Sequence, residues 1–83
     1  MASREEELTR GVDLAIGGDW EGAHEIAQRH EGEPVADWLH AVLHKIGGDV
    51  GNSRYWYRRT PHTFDEFSNA NAELAAIRDF LSR

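Results

Sequence analysis

Apolar residues recur at helical spacing along most of the chain. Leu8, Val12, Ala15 and Ile16 form one stripe, Trp20, Ala23, Ile26 and Ala27 a second, and Trp38, Leu39, Val42, Leu43 and Ile46 a third, wider one. Further on, Phe67, Ala70, Leu74, Ile77 and Leu81 recur at i, i+3, i+7, i+10 and i+14, which predicts a last helix over about residues 66–82. Stops and starts separate these stripes. Gly17-Gly18 and Gly47-Gly48 suit the left-handed residue that ends a helix, while Asp19 and Asp49 suit the cap of the helix that follows. Pro34 fits a first helical turn, where its missing N–H would have no partner anyway. Pro61 disfavours helix in the residue before it, so a fourth helix is expected over Ser53–Thr60.

The stops repeat. Ile16-Gly17-Gly18-Asp19 and Ile46-Gly47-Gly48-Asp49 are the same four residues displaced by thirty positions. The same offset pairs Gly11 with Ala41, Val12 with Val42 and Ala23 with Ser53, small with small and apolar with apolar. The chain therefore reads as a duplication, each copy a helix, a tight turn and an antiparallel second helix. The expected fold is all-α within a single domain, residues 1–83: one helix-turn-helix unit over about 4–32, a second over about 34–60, and a C-terminal capping helix.

Gly18-Asp19-Trp20-Glu21-Gly22-Ala23-His24-Glu25-Ile26-Ala27-Gln28-Arg29 resembles the turn and second helix of a tetratricopeptide repeat, and Tyr55-Trp56-Tyr57-Arg58-Arg59 is similar to the matching stretch of Sel1-like repeats. The resemblance covers about residues 4–60. It implies a scaffold of stacked helical hairpins that binds peptides or partner proteins, hence a small interaction or adaptor protein with Trp38, Tyr55, Trp56, Tyr57 and Arg58 as its contact surface. The period of thirty is shorter than the family's, and with two units there is little concave groove. The stretch from Ala36 to His44, with Gly48-Asp49 and Tyr55 to Arg59, is also similar to a group of small uncharacterised bacterial proteins, which implies an origin and no activity.

Charge narrows the partners. Nine Lys and Arg against fifteen Asp and Glu leave a formal charge of −6, which repels nucleic acid and anionic lipid. The local exception is Arg54, Arg58 and Arg59 among Tyr55, Trp56 and Tyr57, a combination able to stack on bases or hold an anion. No apolar run approaches the roughly 20 residues that cross a bilayer, and Met1 to Arg10 is acidic, unlike a secretory signal. With no cysteine, the expected setting is cytoplasmic, and any metal site must use His, Asp or Glu. A protein partner or a second copy of the chain is expected, the homodimer following from exposed Trp and Tyr.

Five histidines are many for this length. His40 and His44 sit at i, i+4 on one helix, a spacing that lets two imidazoles reach one ion. On a helical wheel they fall with Asp37 opposite Leu39, Val42, Leu43 and Ile46, which reads as a solvated face. Alignment on the two Gly-Gly-Asp turns reads differently: it puts His40 and His44 where the resemblance to tetratricopeptide-like repeats implies apolar residues packed between paired helices, hence partly buried against Tyr57 and in need of partners. His24 then approaches the same region, and His24, Asp37, His40 and His44 become candidate ligands for a divalent transition metal such as zinc, nickel or copper. His30, at a helix end, and His62, after a proline, read as structural. No nucleophile elbow, phosphate-cradling glycine loop or HExxH pair occurs, so nothing supports a named reaction.

Overall fold

A computed structural model describes Ser3–Arg83 and contains helices α1 (Arg4–Ile16), α2 (Trp20–Arg29), α3 (Pro34–Ile46), α4 (Val50–Tyr57) and α5 (Ala70–Leu81), with no strand among the described residues. Helix α1 starts in a capping box, Ser3 and Glu6 each satisfying the other's backbone N–H. The two glycine turns are built alike. Gly18 and Gly48 take φ of 93° and 79°; Asp19 N–H donates to Leu14 O and Asp49 N–H to His44 O, at 2.8 and 2.9 Å. Each Asp then accepts from the helix it opens, Asp19 from Gly22 N and Asp49 from Asn52 N. The equivalent residues Gly11 and Ala41, Val12 and Val42, and Ala23 and Ser53 are all buried, and Ser53 Oγ donates to Ala41 O at 2.6 Å.

Two boundaries differ from expectation. Helix α4 begins at Val50, directly after its Asp49 cap, and ends at Tyr57 rather than Thr60. The Thr60 hydroxyl folds back onto Tyr57 O at 2.9 Å and closes the helix there. Helix α5 begins at Ala70 because Asn69 caps it, accepting from Ala72 N. Phe67 therefore lies in the connector, against the core but outside the helix.

Helix α3 packs against each of the other four helices. Helices α1 and α2 pair on one side, α4 pairs with α3 on another, and α5 closes across α1 and α3. Every residue of α3 from Ala36 to Leu43 is buried as a result. The solvated face expected for Asp37 and His40 does not exist, because a central helix has neighbours all round.

Candidate functional site

The interface of α2, α3 and α4 holds the histidines. His24 reaches across from α2, and His40 and His44 stand one turn apart on α3. One ring nitrogen from each lies within 4.8 Å of the others, the closest pair being His24 Nε2 and His40 Nε2 at 3.1 Å. Indoles wall the group. Trp20 stacks on His24 with ring centroids 4.6 Å apart, and Trp56 stacks on His40 at 3.9 Å. The Trp20 indole N–H is fixed by Leu43 O at 2.6 Å, and Asn52 Nδ2 lies 3.3 Å from His44 Nε2.

Burial disfavours charge on the two rings of α3. His40 is 3% exposed, and burial, then His24 and His44, push its pKa down to about 4. Burial also lowers that of His44. Neutral imidazole is the form that ligates metals. Two tetrahedral nitrogen ligands at zinc distances stand about 3.4 Å apart, close to the 3.1 Å between His24 Nε2 and His40 Nε2. Without an ion, His24 and His40 share one N–H···N hydrogen bond. The other nitrogen of the His40 ring, Nδ1, has no partner, the one such buried side-chain atom among the described residues.

Asp37 is not in the group. Its carboxylate accepts from Gly32 N at 3.1 Å and closes the α2–α3 turn, while burial raises its pKa. The ring against His40 is Trp56 instead of Tyr57, whose hydroxyl points to α5. Of the expected contact surface, Trp38, Trp56 and Tyr57 are buried and only Tyr55 and Arg58 are exposed. Arg59 lies over Tyr55 and Trp56, with its guanidinium 5.2 and 5.3 Å from their centroids. His30 Nε2 meets Glu7 at 2.8 Å, a hydrogen bond that holds the Glu7 carboxyl below its usual range. His62 stacks on Trp38 at 3.7 Å and contacts Glu66.

A second polar group went unforeseen. Glu73 of α5 is 0% exposed; its Oε2 accepts from Trp38 Nε1 at 2.8 Å and Tyr57 Oη at 2.6 Å, and its Oε1 from Lys45 Nζ at 2.8 Å. Burial, with Glu73 second, raises the Tyr57 pKa strongly, so this phenol stays a donor. The signal was a carboxylate at i+3 from Ala70, on the flank of the apolar stripe, and two large aromatics whose polar ends needed partners. No protein-family model, curated protein or solved structure matches the chain.

Proposed function

We propose that this protein binds one divalent transition metal ion through a ring nitrogen from each of His24, His40 and His44. The observation that carries the reading is convergence: three imidazoles from two helices, with donor atoms within 4.8 Å of one another. Such a set suits zinc, nickel or copper, and hard cations poorly. Three protein ligands leave a further position for water or an exogenous donor. The adaptor reading is left with Tyr55 and Arg58, and no grouping of comparable specificity favours it.

The test is titration of chelator-stripped protein with zinc, nickel and copper, following heat and melting temperature. A ligand of the folded state must raise its stability, by about 2.7 kcal/mol at a hundredfold excess over Kd. His24→Ala, His40→Ala and His44→Ala are each expected to weaken binding at least about tenfold, and His30→Ala to leave it unchanged. A melting curve unmoved by all three metals, or equal affinity in the triple variant, overturns the reading.

A further inference from the structure

The cations of this acidic chain are mostly paired: Arg4 with Glu33, Arg29 with Glu7, Lys45 with Glu73, Arg78 with Asp13 and Arg83 with Asp79. Two others cluster at the end of α4. Arg58, like Arg10, has neither an ion-pair nor a hydrogen-bond partner for its guanidinium among the described residues, and the one carboxylate near Arg54 is that of Asp65, at 3.9 Å. The Arg54 guanidinium also lies over the Phe64 ring, 4.4 Å from its centroid.

These two arginines flank a cleft of about 400 Å³ between α4 and the connector, completed by Tyr57, Thr60, His62, Thr63 and Phe64. That volume falls within the range of about 300–1,000 Å³ usual for small-ligand sites. We propose that this cleft binds a small molecule carrying a phosphate monoester, with Arg54 and Arg58 clamping the phosphate and the Thr63 hydroxyl donating to it. Guanidinium groups bind such oxyanions through paired, charge-assisted hydrogen bonds. The opposing features are the C-terminal end of α4 and the carboxylates of Asp65 and Glu66, the latter close enough to act on Tyr57. The last carbonyls of α4 are already taken, Arg54 O by Arg58 N, Trp56 O by Arg59 N and Tyr57 O by Thr60 N. Glu66 is engaged with His62, and Glu73 faces the core side of Tyr57. Asp65 alone competes directly for Arg54.

The site does not depend on the histidine cluster, so it is tested with chelator present and ionic strength held constant. Inorganic phosphate and phenyl phosphate are titrated while backbone amide shifts are followed by NMR. Saturable changes confined to residues 54–64 are expected, tighter for phenyl phosphate if an ester is the ligand and equal for both if free phosphate is. Arg58→Gln should weaken binding about tenfold, the loss of one charge-assisted contact, while Asp65→Asn should strengthen it and Arg10→Gln leave it unchanged. These side chains are exposed, so unaltered melting curves will show that the variants remain folded. Shifts that fail to saturate, that spread over all the arginines, or that persist at full affinity in Arg58→Gln overturn the proposal.

Discussion

Glu73 is a carboxylate taken wholly out of water and compensated by three donors from two other helices. Breaking a buried pair costs more than the pair contributes, because the remaining charge stays buried without compensation. Glu73→Ala leaves Lys45, mostly buried beside the Tyr57 and Phe64 rings, with the Phe67 carbonyl but no counter-charge, and should cost about 3–5 kcal/mol in urea unfolding. Glu73→Gln retains an acceptor for Trp38 or Tyr57 and should cost less. A loss below about 1 kcal/mol for the alanine variant, typical of an exposed charge, would refute this account. His40 gives a prediction in pH. Its folded pKa of about 4 lies below its ordinary 6.5, so the unfolded chain takes up its proton first. The neutral ring's contribution is intact above pH 6.5, declines as pH falls from 6.5 towards 4, and changes no further below that. The full difference is on the order of 3 kcal/mol. With chelator present, His40→Phe should flatten the slope of unfolding free energy over that window, and an unchanged slope would mean that the ring titrates normally.

At the level of helices, the repeated glycine turn was the most legible feature, because left-handed glycine and an aspartate cap act locally and need no tertiary information. The two turns share geometry and hydrogen bonds, so Asp19→Ala and Asp49→Ala should destabilise alike, by about 1 kcal/mol each, in matched denaturation curves. The convergence of His24, His40 and His44 was only partly legible: the repeated turns supplied an alignment, but placing the rings between helices drew on the resemblance to tetratricopeptide-like repeats, and the helical wheel placed His40 and His44 in solvent. What the pattern concealed was the central place of α3. A helical wheel records one helix at a time, and the face carrying Asp37 and His40 looked solvated until α4 and α5 were placed against α3. The same blindness turned Trp38, Trp56 and Tyr57 into a contact surface, although each spends its ring on the core and Trp38 and Tyr57 their polar atoms on Glu73. On α5, Leu74 and Ile77 are fully buried, whereas the Arg78–Asp13 pair to α1 is half exposed. Leu74→Ala should therefore cost about 2–5 kcal/mol and Arg78→Ala at most about 1 kcal/mol. Comparable losses from the two would mean that α5 is held by charge instead of packing.

For the whole molecule, a helix that touches every other helix couples their unfolding. α5 is the element most open to question, since it follows a connector from Arg58 to Asn69 and lies outside the two repeated units. Yet it docks on both α1 and α3, supplies Leu74 and Ile77 to the same core as Val12, Val42 and Leu43, and anchors Lys45 through Glu73. Detaching it would expose that core and leave a buried lysine uncompensated, so its loss is energetically tied to loss of α3. Three tryptophans stand on different helices: Trp20 on α2 and Trp56 on α4, both against the histidines, and Trp38 at the α3–α5 contact. Single-tryptophan variants, made with phenylalanine at the other two positions, should each show a fluorescence transition whose midpoint coincides with helix loss by circular dichroism in the same variant. If α5 instead opens separately, the variant retaining Trp38 will lose its native emission at lower urea than it loses helix, and the other two will not. A lag of that kind would divide the molecule into the repeated pair and a detachable fifth helix, and would require the polar contact at Glu73 to be weaker than its geometry indicates.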